Sequence, residues 1–287
     1  MNDTKPSLLV YLGMFLITLA GTRFSVVGTT MPAGFGILWV PNAVLLAYLL
    51  RFAGKGGLLF CGLFCLAVFI GDPSDTQLIF QLFVEPVDVA SAVFIYAVVS
   101  NWRMSRSLDT LRDLGKFLVC GPLAGTLIFA IVGASIYWVI GNSQGDLFFD
   151  YRVWWVSDGL GMLIFTPLVV SWLQPEAMRR PRLQLYDYPA LLLSAAIVVC
   201  VFALRMTPFL TIPVVAYGAW RFERRLSLAL MAGIAMAVPF MLARGYRPLG
   251  DVPDDVGTLR TQGFILIIAV LGVGLATWKR QRDAASS

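Results

Sequence analysis

The sequence predicts an all-α fold, a polytopic bundle of transmembrane helices, and three observations point to it. Of 287 residues, 58% are hydrophobic and only 14% are charged, against roughly 45–50% and about 25% in soluble domains. Apolar stretches near the length of about 20 residues that crosses a bilayer as a helix recur along the whole chain. Lys and Arg are dense and sparse in alternate turns, the pattern that loops on two sides of a membrane produce.

Apolar runs between polar breaks place helices near 6–22, 36–52, 56–71, 77–100, 117–141, 152–173, 189–204, 207–220, 226–242 and 260–278. With the amino terminus in the cytoplasm, the inner turns of these ten spans hold sixteen of the 22 Lys and Arg residues, and the carboxyl terminus is also cytoplasmic. The outer turns keep Arg23, Arg152, Arg205, Arg244, Arg247 and Arg260, with acidic segments at 72–75 and 251–255. Pro208 and Pro213 interrupt the eighth segment, so eight spans plus a re-entrant pair is the alternative, with the same orientation elsewhere. Residues 1–278 read as one integral membrane domain and 279–287 as a cytoplasmic tail or the start of a linker. Lys5 before the first apolar run imitates a secretory signal. That run is longer than a signal's apolar region and no clear cleavage site follows, so the segment is expected to stay. The stretch 101–116 is either an amphipathic helix on the inner surface or an ordinary positive loop.

Composition also narrows the chemistry. The chain has no histidine, so it cannot itself accept phosphate on imidazole or use imidazole as a general base. Cys61, Cys65, Cys120 and Cys200 all sit in apolar runs, where thiols pack as small apolar residues. No metal, disulfide framework or cofactor is implied. The net charge of +5 gathers in inner turns facing anionic lipid, and marks the bilayer rather than nucleic acid as partner.

Three carboxylates break the apolar pattern: Glu85 and Asp88 in the fourth span and Asp158 in the sixth. Ionisable groups at membrane depth are costly and so raise a functional hypothesis. At about 1.5 Å per residue from each outer end, Asp158 and Asn42 lie roughly 9 Å down, Glu85 roughly 12 Å and Asp88 roughly 16 Å. These groups therefore suit a polar cavity open to the outer face. Glu85 and Asp88 share a helix face, and Pro86 between them removes a backbone hydrogen bond and tends to kink the helix. Trp39, Trp154 and Trp155 fall near the same level, either to contact a cationic ligand or to anchor helices at the interface. The alternative reading of the carboxylates is as structural partners of Arg23, Arg152 or Arg205 that hold helices together. Gly159 and Gly161, and Gly121 and Gly125, would let neighbouring helices approach closely.

Three local patterns together resemble a family. Trp39-Val40-Pro41-Asn42-Ala43 looks like the Trp-Pro-Pro-Ala-Gly element of the first type of bacterial membrane-associated sensor domain. The run from Trp154-Trp155 through Asp158, Gly161 and Leu163 to Pro167 resembles its Trp-x-x-Asp-x-x-Gly-x-Leu…Pro element, and Arg221-Phe222 resembles its Arg-Phe-Gly turn. Asn42, Ala43 and Glu223 depart from the usual Ala, Gly and Gly. The resemblance covers essentially the whole chain. It implies a non-enzymatic input module of the bacterial inner membrane that senses a small ligand or a membrane protein; the polar groups at membrane depth, Asp158, Glu85, Asp88 and Asn42, with Trp39, Trp154 and Trp155, are the candidate binding set. It implies homodimers, and a cytoplasmic histidine kinase or diguanylate cyclase as output, in cis or in trans, in two-component or cyclic di-GMP signalling. A transporter or channel with a carboxylate-lined site is the rival expectation. An intramembrane aspartyl enzyme would need a dyad whose spacing these acids do not follow.

Overall fold

A computed structural model of the chain describes residues 6–30, 36–52, 54–72, 78–140, 146–174, 187–247 and 249–286. Its elements are helical, and among the described residues the only β pairing is one isolated bridge between Thr30 and Gly36. The helices are α1 (Leu8–Arg23), α2 (Pro41–Phe52), α3 (Gly57–Gly71), α4 (Leu78–Asn101), α5 (Leu111–Leu118), α6 (Ala124–Val139), α7 (Leu147–Leu173), α8 (Asp187–Ala203), α9 (Ile212–Arg221), α10 (Arg224–Ala243) and α11 (Asp254–Ala285). Wider π-helical turns carry α1 on to Gly28 and join α5 to α6 through Val119–Leu123, where Pro122 cannot donate the ordinary backbone bond.

Among the described residues, six helical stretches are long and apolar enough to cross a membrane: Leu8–Gly28, Gln81–Asn101, Leu111–Val139, Leu147–Leu173, Arg224–Ala243 and Asp255–Ala285. Pro41–Phe52, Gly57–Gly71 and Asp187–Ala203 are apolar but shorter. The exterior is apolar too: Leu58, Leu192 and Leu204 are largely exposed, as lipid contact permits and water does not. The chain is a multi-pass membrane protein.

At the centre stands α2, whose residues are buried on nearly every side. Twelve residues rise only about 18 Å, so α2 stops short of a bilayer's roughly 30 Å apolar core and is enclosed by α1, α3, α4 and α7. Alongside it, α7 is the most deeply buried of the six long stretches. Helix α8 lies at the edge, burying only Asp187, Ser194 and Val201. Helix α11 packs on α7, α9 and α10. Its 32 residues rise about 48 Å, well over the apolar thickness, so it outruns the core.

Several boundaries depart from the sequence reading. The second helix begins at Pro41, not near 36, because residues 37–40 spend their backbone groups elsewhere. The Ile37 amide donates to the Thr29 carbonyl (3.2 Å), Trp39 N–H to Ser157 O (3.2 Å) and Val40 N–H to Ser25 Oγ (3.1 Å). The sixth span starts at Leu147, capped by the Asp146 side chain accepting from Phe148 N–H, five residues ahead of the expected 152. Residues 101–116 are neither alternative whole. Thr110 caps a helix that runs from Leu111 directly into the fifth span, and Leu108 ahead of it is completely buried.

Candidate functional site

The candidate site exists because two glycines let α7 reach backbone against its neighbours. A Cβ on Gly161 would lie 1.7 Å from the Trp39 carbonyl oxygen, and one on Gly159 2.6 Å from the Pro122 carbonyl oxygen. No side chain fits at either position without moving main chain. With Trp39 N–H bound to Ser157 O, the segment entering α2 is sewn onto α7 beside Asp158. The longer α7 also corrects the depth of that residue. Asp158 lies eleven residues beyond Leu147 and Asp88 ten beyond Leu78, about 17 and 15 Å along their helices. The two carboxylates thus share a level.

Four of the seven sequence-predicted residues close into one network. The Trp39 indole N–H donates to Asn42 Oδ1 (3.3 Å) and Asp88 Oδ2 (3.2 Å). The Asn42 amide nitrogen donates to Asp88 Oδ1 (3.0 Å) and Asp158 Oδ2 (3.3 Å). Asn42 is completely buried, and Asp88 and Asp158 nearly so. One neutral amide therefore bridges two buried carboxyl groups from different helices, and both of its donor hydrogens are committed. Trp154, four residues ahead of Asp158 on α7, packs its ring edge-on against Tyr137.

Glu85 is one helical turn away on α4, in side-chain contact with the Cys65 thiol of α3, while its Oε1 is buried without a hydrogen-bond partner. Trp155 departs from the group: its indole N–H donates to the Leu123 carbonyl (2.9 Å) and its ring stacks on Tyr151. It holds α7 to the wide turn between α5 and α6. The three arginines weighed as partners lie elsewhere or bind otherwise. Arg152 covers the Phe149 ring and Arg205 the Tyr246 ring, and among the described residues none pairs with these carboxylates.

Three further polar residues belong to the surroundings. Gln81 and Ser91 are buried on α4, and with Glu85 and Asp88 they form a stripe at spacings of four, three and three, one face of a helix. That periodicity is legible in the sequence, although Gln81 and Ser91 carry no charge to mark it. Ser91 Oγ is also buried without a partner. Gln262 of α11, equally buried, donates to the Ile37 carbonyl (3.5 Å). It ties the last helix to the segment that carries Trp39.

Chemically the cluster is rich in acceptors and short of donors. It can take a hydrogen-bond donor or a cation. Compared with known proteins, the chain matches the family model MASE1 over residues 5–283. No curated protein and no solved structure matches it.

Proposed function

We propose, from the premise that the chain belongs to the MASE1 family of membrane sensor input domains, that it senses a donor-bearing or cationic small molecule, or a membrane protein presenting such a group, at the Asn42–Asp88–Asp158 cluster. The observation that carries this reading is the pair of buried acceptors beside the closed network, Glu85 Oε1 and Ser91 Oγ, which have no hydrogen-bond partner. A buried polar group left unpaired costs free energy, and a ligand that supplies donors to this stripe relieves that cost. Binding then competes with the bonds of Asn42 and Trp39, and the segment 37–40 is what moves.

The relay runs through α11. Gln262 touches the Ile37 carbonyl at one end of that helix, and its length carries a displacement beyond the apolar core at the other. A ligand shifts such a bundle only by its differential affinity for two arrangements, and a coupling of about 1–3 kcal/mol is ordinary. The output is a cytoplasmic kinase or diguanylate cyclase, in cis or in trans, and the domain works as a homodimer in the bacterial inner membrane. The long α11 favours this reading over a transporter, which shares the buried carboxylates but has no need of a helix outrunning the core.

Orientation follows from charge. Contacts of the basic residues assigned to the inner side stay on that side: Arg51 with the Leu173 carbonyl, Arg221 with Asp187, Arg224 and Arg280 with Asp109. Those assigned outside do likewise, Arg247 with Asp251 and Arg260 with the Leu249 carbonyl. This segregation supports ten crossings with both termini cytoplasmic, the short helices α2 and α9 being completed by the non-helical or 3₁₀ segments before them.

The test is thermal unfolding in lipid nanodiscs across a library of small amines and polyols, on wild type, Asp158→Asn and Glu85→Gln. A ligand of the native state raises the midpoint by mass action. The expected result is a compound that shifts wild type and neither variant. If no compound shifts wild type while both variants merely unfold earlier, the carboxylates only hold helices together and the sensing role is lost.

A further inference from the structure

A polar concavity lies at the far end of α7, about thirteen residues or roughly 20 Å from Asp158. It is a cavity of about 340 Å³ between the end of α7, the turn joining α9 to α10, and the last turns of α11. Arg224, Arg225, Lys279 and Arg280 line it, with Glu223 and Asp283 as the acidic side chains, so the walls carry four positive charges against two negative. Ser171 and Gln174 complete its polar wall.

The basic residues are built in. Arg224 is 8% exposed and Arg225 6%, deep for guanidinium groups, which are rarely buried without partners. Arg224 donates to Asp109 (2.9 Å) and to the carbonyls of Ser107 (3.0 Å) and Leu108 (2.9 Å). Lys279 donates to the Phe222 carbonyl (2.9 Å) and Arg280 to Gln174 Oε1 (3.1 Å). Two donor nitrogens of lining residues have no acceptor although they are buried: Arg224 Nε and Gln174 Nε2. Arg225 pairs with Glu223 (2.6 Å), and Asp109 behind the wall pairs with both Arg224 (2.9 Å) and Arg280 (3.1 Å), which leaves a small positive excess; that excess together with the orphaned donors is the complement of an oxyanion with several acceptor oxygens. The volume falls at the lower end of the range for small-molecule sites.

We propose that this cavity is a binding site for a phosphate-type anion, supplied either by a free phosphorylated solute or by the headgroup of an anionic phospholipid. Its position gives the site a consequence. Arg280 and Lys279 belong to α11, Arg224 and Arg225 to α10, and Gln174 follows α7. An anion held among them fastens the end of α11 to the rest of the bundle, at the point where the proposed signal leaves it. The site does not depend on the outer cluster having a ligand, so the two proposals stand or fall separately.

The experiment uses the full chain in nanodiscs of zwitterionic phosphatidylcholine, titrated with pyrophosphate, with sodium chloride at equal ionic strength as the reference. A second arm omits pyrophosphate and replaces part of the lipid with phosphatidylglycerol. Readouts are the unfolding midpoint and amide hydrogen exchange over residues 276–284. The site predicts a saturable rise in midpoint and slower exchange at the end of α11 in at least one arm, and the responding arm names the source. Lys279→Gln and Arg225→Gln are each expected to weaken the response about tenfold, the loss of one charge-assisted contact. A response no larger than that to chloride in both arms overturns the proposal, as does one that both variants retain in full. Should either variant fail to fold, the wild-type comparison with chloride decides alone.

Discussion

Around Asp158, α7 meets its neighbours backbone to backbone, and the polar groups there, from α2, α4 and α7, largely satisfy one another with no charged donor. Around Ser171 and Gln174, near the other end of the same helix, the neighbours stand apart, and arginine and lysine face a cavity. The contrast follows from what the sequence places at each level. Gly159 and Gly161 remove the side chains that would separate α7 from the Trp39 segment, so short Asn and Asp side chains suffice to bridge. At the other end, long basic side chains line a gap, Arg224 and Arg225 buried and Lys279 and Arg280 half-buried. The first arrangement suits recognition inside the membrane, where each unpaired polar atom is costly; the second suits an anion arriving from outside it.

The comparison is broken most severely at Gly161. Alanine there places a Cβ against main-chain atoms of Trp39, and overpacking of that kind costs about 3 kcal/mol or more; Gly161→Ala is expected to fail purification or to unfold far below wild type in detergent. Asn42→Leu comes next. It strips Asp88 and Asp158 of their shared donor and is expected to cost about 3 kcal/mol, read as a lowered unfolding midpoint. At the basic end, Arg224→Gln loses the ion pair with Asp109 and two carbonyl contacts. About 2 kcal/mol is expected, with faster hydrogen exchange confined to residues 102–110. The smallest effect belongs to Trp155→Phe, which gives up one hydrogen bond to the Leu123 carbonyl, about 1 kcal/mol, and leaves ligand response at the cluster unchanged.

How far the sequence led can be seen at individual residues. The ten apolar segments each correspond to a helix, since the apolar period and the polar breaks are properties of the local chain. The carboxylate cluster was legible because an ionisable group at membrane depth is conspicuous in any apolar run. Its geometry was not. The start of α2 at Pro41 depends on hydrogen bonds to Ser25, Thr29 and Ser157, contacts with residues distant in sequence that no local pattern encodes. Trp155 looked equivalent to Trp154, and only the helix phase against α6 sends one indole to the Leu123 carbonyl and the other against the Tyr137 ring. The basic cavity is not legible in the sequence, for a different reason. Arg224, Arg225, Lys279 and Arg280 were sufficiently explained by orientation in the membrane, and nothing in the sequence distinguishes a loop arginine in water from one buried against Asp109.

Coupling between the cluster and the end of α11 is measured by hydrogen exchange on wild type and Asp88→Asn in nanodiscs. Asp88→Asn keeps the shape of the site while altering the acceptors of Trp39 and Asn42. Altered exchange is expected at residues 37–45 and also at 276–284, 14 to 22 residues beyond Gln262 on α11. A change confined to segments around Asn42, Asp88 and Asp158, with α11 exchanging as in wild type beyond Gln262, would contradict it.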